Sequence, residues 1–154
     1  AERFEAPAKV RSGSAALSGG KSLRAGDVVT AAKDSNGLYT LRKARGATED
    51  SLFTYPAYVE RVIDGDTLKV KIDLGFGIWT RQIIRLRGID TSELETKTGK
   101  AAKEFVSNEL KNSNSVTVRT SRSDKYDRYL GDVFYRDRYL NQRLLDEGHA
   151  VRVS

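Results

Sequence analysis

Residues 58–90 read YVERVIDGDTLKVKIDLGFGIWTRQIIRLRGID and contain three stretches with the composition of β-strands, separated by turn residues. In LKVKIDL (68–74), apolar and polar residues alternate, which is the pattern of a strand with one buried face. YVERVI (58–63) precedes it across Asp-Gly-Asp-Thr, and IWTRQIIRLRGI (78–89) follows it after a glycine-rich turn. The region therefore predicts three consecutive strands.

The chain after residue 90 continues with helices and strands in alternation. Apolar residues at helical spacing predict a helix over Gly99–Lys111. VTVRT (116–120) and YLGDVFY (129–135) have the composition of two more strands. A short helix is predicted over Tyr139–Glu147, ending at Gly148.

Five strands, with one helix after the third and another after the fifth, indicate a mainly β protein with helices, of the α+β class. A small twisted five-stranded barrel of the OB-fold type suits this order, although periodicity alone does not separate it from other α+β folds. Four aromatic residues in strand or helix patterns are expected in the core: Trp79, Phe105, Phe134 and Tyr135.

The N-terminal third has a different composition. Residues 1–26 are rich in Ala, Gly and Ser and predict a flexible tail or linker. Residues 27–44 predict a β-hairpin turning at Asn36-Gly37, with SLFTY (51–55) as a third strand. We therefore expect a small β extension of unknown role over 27–56 and the main domain over 57–154.

The amino-acid composition limits the kinds of metal site and binding partner that the protein can have. The 154 residues include no cysteine and one histidine, which excludes thiolate sites and disfavours zinc. A metal site must then use oxygen ligands, as calcium, magnesium and manganese do. A net charge of +6 favours polyanionic partners such as nucleic acid. No apolar run is long enough for a membrane span, and the first residues lack a signal-peptide pattern.

Three polar clusters follow predicted strand ends: IDGDT (63–67), RLRGIDTSE (85–93) and DKYDR (124–128). Each one alone is typical of a turn or a solvated loop. Together, in this order and with this internal spacing, they resemble the signature of the staphylococcal nuclease (thermonuclease) family. The resemblance covers residues 57–153 and includes the helix pattern LNQRLLDEGHA (140–150).

The resemblance implies a calcium site and a catalytic base. Asp66 and Asp90 match the family's two calcium carboxylates, and Thr91 matches the residue whose backbone carbonyl is the third protein ligand. Asp64 matches an acidic residue near the metal, and Glu93 matches the proposed general base.

The same resemblance implies a set of phosphate contacts. Arg85 and Arg128 match the two phosphate-binding arginines, and Lys125 and Tyr126 match residues that contact a terminal phosphate. Arg87 lies two residues from Arg85 on the same predicted strand, but the five-residue step to Asp90 favours Arg85.

The implied activity is a calcium-dependent phosphodiesterase, acting as endo- or exonuclease on DNA and RNA. It would cut the P–O5′ bond and leave 3′-phosphates, with little sequence specificity, no membrane and no obligate protein partner. The resemblance slightly favours a secreted or cell-envelope location. Ser92 stands where the family usually has proline, which loosens the placement of Glu93. The alternative is a weak or inactive module that binds nucleic acid or a protein ligand.

Overall fold

The structure is a computed structural model that describes residues 8–9, 23–123, 125 and 128–154. These residues fall into two compact units. The first comprises the described residues up to Thr54 together with Leu74–Phe76, and the second comprises Tyr55–Asp73 and Gly77–Ser154. Within the described ranges, no helix is both long enough and apolar enough to cross a membrane.

Strands make up most of the regular structure. In chain order they are β1 (Ala8–Lys9), β2 (Val28–Lys33), β3 (Tyr39–Lys43), β4 (Thr54–Asp64), β5 (Thr67–Gly75), β6 (Ile78–Leu86), β7 (Ile89–Thr91), β8 (Ser115–Ser123), β9 (Tyr129–Tyr135), β10 (Arg138–Tyr139) and β11 (Ala150–Arg152). The helices of the described part are α1 (Lys97–Leu110), α2 (Leu140–Asp146) and a 3₁₀ turn at Glu49–Ser51.

The second unit is a closed barrel. Among the described strands, β9, β6, β5, β4 and β8 are hydrogen-bonded in that order, and a pairing between β8 and β9 closes the ring. β6 and β9 run parallel, whereas β4 with β5 and β8 with β9 run antiparallel. Helix α1 connects the third and fourth barrel strands, and α2 follows the fifth. The predicted α+β class and five-stranded OB-like barrel are confirmed.

Strand alternation fills the barrel interior. Leu68, Val70 and Ile72 on β5 are all buried, and α1 adds Val106 and Leu110 to the same core. Burying one such side chain contributes about 1.5–3 kcal/mol, so this cluster accounts for much of the stability of the barrel.

The aromatic residues divide between core and surface. Tyr135 is buried in the core and Phe105 packs partly against it. Phe134 and Trp79 are half-buried, and Trp79 stacks against exposed Tyr58. The prediction that Phe134 and Trp79 lie in the core is wrong, because their positions on β9 and β6 face outward and neither residue belongs to the core cluster.

The third barrel strand ends earlier than predicted. β6 stops at Leu86, and Arg87 and Gly88 form a turn, with Gly88 at φ +75°. Ile89 then begins β7, which pairs with β11, a strand that the sequence did not predict. Because the strand breaks between them, Arg85 and Arg87 do not share one strand face.

The first unit contains the predicted hairpin of β2 and β3. The Asp34 carboxylate accepts the Asn36 and Leu38 N–H groups in the turn, and Gly37 adopts φ +81°. The predicted third strand at 51–55 is wrong, because this segment is divided between the 3₁₀ turn and the start of β4.

The partner of β2 on its other edge is β1, which comes from the segment expected to be a tail. Leu23, from the same segment, is buried. The remaining residues of 1–22 lie outside the described part, and the predicted domain boundaries stay a prediction.

Candidate functional site

The turn between β4 and β5 positions Asp66. The Asp66 N–H donates to Oδ1 of Asp64 at 3.1 Å, which closes the turn. A Cβ at Gly65 would lie 2.7 Å from Cβ of Ala102 and 2.9 Å from Cγ2 of Thr91. Only glycine therefore lets the turn approach α1 and β7 this closely, and this approach brings Asp66 beside Thr91.

Asp66 is a buried carboxylate held by several donors. Its Oδ2 accepts the Thr91 N–H at 2.8 Å and the Thr91 hydroxyl at 3.0 Å. Its Oδ1 accepts the Thr67 hydroxyl at 3.0 Å. A buried carboxylate requires such donors, because an unpaired charge away from water is costly. These bonds fix the orientation of Asp66.

Arg85 connects Asp66 to Asp90. Its Nη1 lies 3.1 Å from Asp66 Oδ2, and its Nη2 donates to Asp90 Oδ1 at 2.7 Å. Nη1 also donates to the Ile89 carbonyl at 3.0 Å. The Arg85 and Asp66 side chains are 16% and 8% exposed, whereas that of Asp90 is 55% exposed. Two carboxylates, one from the turn between β4 and β5 and one from β7, thus converge on one cationic group, with Asp90 on the solvent side.

The pKa values of Asp66 and its neighbour Asp64 are shifted in opposite directions. Burial raises the pKa of Asp66, but hydrogen bonds from Asp64 and Thr91 and the charge of Arg85 outweigh it and leave this pKa lowered. Burial and the hydrogen bond with Asp66 raise the pKa of Asp64. Asp66 therefore keeps its negative charge to a lower pH than Asp64 does.

Glu93 is exposed, and its main chain is tied to the start of α1. The Glu93 carbonyl accepts the Thr96 N–H at 3.0 Å and the Thr96 hydroxyl at 2.6 Å. The Thr96 hydroxyl in turn accepts the Gly99 N–H at 3.0 Å, as an N-cap residue does. The helix start therefore fixes the backbone beside the predicted base.

The described residues contain no group of three or more His, Cys, Asp or Glu arranged to hold a metal. The donor chemistry that does converge is the pair Asp66 and Asp90, which already share the guanidinium of Arg85. Two carboxylates with one on the solvent side fit a hard divalent cation that keeps water and substrate ligands.

The remaining predicted residues belong to the connection that enters β9. Arg128 is half-buried and immediately precedes this strand. β9 pairs in parallel with β6, where Leu130 lies opposite Arg85, so Arg128 is two residues before the position opposite Arg85. Lys125 is exposed. Tyr126 lies outside the described residues.

A cleft of about 440 Å³ opens beside Asp90. It is bordered by the start of α1 and by the segment between α2 and β11. His149, for which the sequence predicted no role, lines the cleft, and its ring centroid is 4.7 Å from that of Phe105. Its position directly after a helix-ending glycine gave no signal of this placement.

The sequence of the barrel is similar to that of known proteins. Residues 83–154 match the family model described as staphylococcal nuclease homologue. This part of the chain is a staphylococcal nuclease-like domain. Arg85, Asp90 and Glu93 lie within the matched range, whereas Asp66 precedes it and contacts Arg85 and Thr91.

Three curated relatives match over 67 residues, which is 44% of the chain. The probable staphylococcal-like nucleases CAN2 and CAN3 of Oryza sativa subsp. japonica are 33% and 31% identical. An uncharacterized 38.1 kDa protein of Capnoides sempervirens is 36% identical. The match spans 18%, 18% and 20% of these proteins, so the chain corresponds to a minor part of their length.

Arg87 has a separate role in the nuclease-like domain. Its guanidinium lies 3.0 Å from buried Asp132, which also accepts the Tyr139 hydroxyl at 2.6 Å. Burial and this hydrogen bond raise the pKa of Tyr139 to about 12. Arg87 therefore has a structural role, which is to pair with the buried carboxylate of Asp132.

Proposed function

We propose that the nuclease-like domain is a calcium-dependent phosphodiesterase that hydrolyses DNA and RNA at the P–O5′ bond and leaves 3′-phosphates. The observation that carries this proposal is the convergence of Asp66 and Asp90 on Arg85. It joins two carboxylates and a phosphate-binding type of side chain in one place, next to a cleft.

Asp66, Asp90 and the Thr91 carbonyl are the groups that would hold the calcium ion. When bound, the ion would polarise a phosphoryl oxygen and orient the attacking water. The exposed position of Asp90 fits this role, because calcium takes six to eight oxygen ligands and needs room for water and phosphate.

Side chains of the protein would transfer the proton and stabilise the charge that develops during hydrolysis. Glu93 accepts a proton from water as the water oxygen attacks phosphorus. Arg85 and Arg128 donate hydrogen bonds to the oxygens on which negative charge grows, and Arg128 assists the departing 5′ oxygen. Lys125 and Tyr126 contact a further phosphate. Because phosphate contacts carry no base identity, we expect little sequence preference.

The test measures release of acid-soluble nucleotides from DNA and from RNA, with calcium and with a chelator. Glu93→Gln should lower kcat by at least roughly a hundredfold, whereas Glu95→Gln, an exposed neighbour, should not. Arg128→Ala should have an effect of similar size, with Arg45→Ala in the first unit as its control. Equal rates with and without calcium would refute the metal-dependent mechanism, and full turnover in both site variants would refute the assigned roles.

One observation favours the alternative of a binding module without strong catalysis. Arg85 already donates to Asp90 and to the Ile89 carbonyl, so a phosphate must compete with these acceptors. Salt-dependent binding of oligonucleotides without any cleavage, at saturating calcium, would establish this alternative.

A further inference from the structure

Three neighbouring barrel strands carry an aromatic stack on the outer surface. Tyr58 on β4 lies opposite Lys71 on β5 in the strand register, and Trp79 is on β6. The Tyr58 and Trp79 rings stack with centroids 5.8 Å apart and planes 24° apart. Lys71 Nζ lies 4.9 Å from the centroid of the Trp79 ring. Tyr58 is 45% exposed, so this stack presents ring surface to solvent.

Alternation explains why the stack faces outward. Leu68, Val70 and Ile72 fill the core, so the intervening residues Lys69 and Lys71 lie on the outer face of β5. Neither Tyr58 nor Trp79 belongs to the core cluster of buried and adjoining residues. Core packing therefore does not account for this pair of large aromatic side chains.

The same face leads to the candidate site. Trp79, Arg81, Ile83 and Arg85 occupy alternate positions of β6, so they project on one side of the strand. Arg85 is six positions after Trp79, which corresponds to about 20 Å along a strand. A strand of nucleic acid held at Arg85 can follow this face to the aromatic stack, because an OB fold binds about 4–16 nucleotides of a single strand.

The charges on this face suit a polyanion. Arg81 is paired with Glu60 at 2.8 Å, whereas Lys71 adds positive charge over the Trp79 ring and Lys69 occupies another outward position of β5. Nucleobases stack on aromatic rings whatever their identity, and lysines attract the phosphates between them.

We propose that Tyr58 and Trp79, with Lys71, form a base-stacking platform that binds single-stranded nucleic acid outside the cleavage site. This inference rests on the proposed nucleic-acid substrate and adds a second contact for it. Unpaired bases expose the flat surfaces that the platform needs, whereas a duplex hides them between neighbours. Single strands are therefore expected to bind more tightly than duplexes of the same length.

Binding is measured on the full chain in chelator, so that cleavage does not interfere. Trp79 is the sole tryptophan of the sequence, and its fluorescence reports directly on the platform. Titration with an oligothymidylate of about ten nucleotides, within the range of OB-fold site sizes, should quench this fluorescence to saturation. Anisotropy of the labelled oligonucleotide measures affinity in variants that lack Trp79.

Tyr58→Leu and Trp79→Leu should each weaken binding by at least roughly fivefold, the lower end of the effect of losing one stacked base. Tyr58→Phe keeps the ring and should bind like the parent protein. Lys71→Gln should weaken binding more than Lys111→Gln, which removes the same charge at the end of α1. Unchanged affinity in both leucine variants with intact folding would overturn the platform.

A second measurement separates this inference from the proposed hydrolysis. A dinucleotide is too short to reach the platform from Arg85, so Tyr58→Leu should cleave it at the parental rate while the KM for long single strands rises. If the parent protein cleaves normally but oligothymidylate does not quench its Trp79 fluorescence, the platform is refuted and the proposed hydrolysis is not. Quenching without any cleavage would refute the hydrolase and leave the platform in place.

Discussion

Gly99 in the first turn of α1 packs against the backbone of Glu93, and a Cβ at this position would lie 1.9 Å from the Glu93 carbonyl oxygen. No side chain can occupy that space without moving the backbone. The start of the helix and the position of the predicted base are therefore coupled.

Gly99→Ala is the first prediction. Alanine in a helix normally adds about 1 kcal/mol relative to glycine, but here the methyl group must displace the Glu93 backbone. We expect a loss of roughly 1–3 kcal/mol in unfolding free energy, together with lower nuclease activity. Chemical denaturation and the nucleotide-release assay measure the two effects. Lys100→Ala, an exposed neighbour, serves as control, and a Gly99→Ala protein that is more stable than the parent would contradict the packing argument.

The second prediction concerns Arg85→Ala. Removing the guanidinium leaves Asp66 buried with its charge less well compensated, which should cost roughly 1–3 kcal/mol in the absence of metal. If calcium binds between the carboxylates, it should raise the melting temperature of this variant more than that of the parent protein.

Arg81→Ala provides the control for this experiment. Arg81 is an exposed partner of Glu60, and such surface pairs contribute about 0–1 kcal/mol. Thermal unfolding with calcium and with chelator compares the three proteins. No additional stabilisation of Arg85→Ala by calcium would argue against a shared ion.

The third prediction concerns Asn141, a buried amide at the start of α2. Its Oδ1 accepts the Val133 N–H at 3.2 Å, and its Nδ2 donates to the carbonyls of Arg87 and Gly131 at 3.0 and 3.1 Å. Asn141→Leu removes these bonds from the Val133 N–H and the Arg87 carbonyl, whereas the Gly131 carbonyl still accepts the Arg87 N–H at 2.9 Å, so we expect a loss of roughly 1–3 kcal/mol. Gln142→Leu removes an amide that donates to exposed Asp146, and it should change stability far less in the same denaturation experiment.

The fourth prediction is a pH dependence at Glu109. A hydrogen bond from Tyr135, together with the charges of Arg143 and Arg138, holds the pKa of Glu109 below its usual value of 4.5. A lowered pKa in the folded state stabilises the protein above the usual value, and the contribution is lost as pH falls through the folded pKa.

Glu109→Gln should therefore be less stable than the parent at pH 7, and the difference should shrink as pH falls below 4.5. Thermal unfolding across this range tests the prediction. Glu104→Gln, on the exposed side of the same helix, should show no comparable convergence. A Glu109→Gln difference that stays constant down to low pH would contradict the assigned interaction.

Several features were readable from the sequence because they depend on neighbouring residues. Alternation over 68–74 identified β5, and helical spacing identified α1 to within two residues. Other features were not readable because they depend on distant partners. β7 forms only because β11 arrives beside it, and the outward position of Trp79 depends on which face of β6 the barrel buries.

Some features of the candidate site were likewise predictable from the sequence, and others were not. Local motifs identified Asp66, Arg85 and Asp90 as residues of interest, but they did not show that one guanidinium contacts both carboxylates. Nor did they reveal that Gly65 and Gly99 permit the close backbone approaches that position Asp66 and Glu93. A glycine in a turn or helix looks the same in sequence whether space or crowding surrounds it.

The sequence by itself determined the alternating strands, the two main helices, the basic charge and the oxygen-only choice of metal ligands. These follow from periodicity and side-chain chemistry, which act over a few residues. Only the tertiary structure decided that Asp66 and Asp90 meet at Arg85, and that Tyr58 and Trp79 stack on the outer face. Closing a barrel brings together residues that are far apart in the chain, and the contacts so formed depend on the whole core.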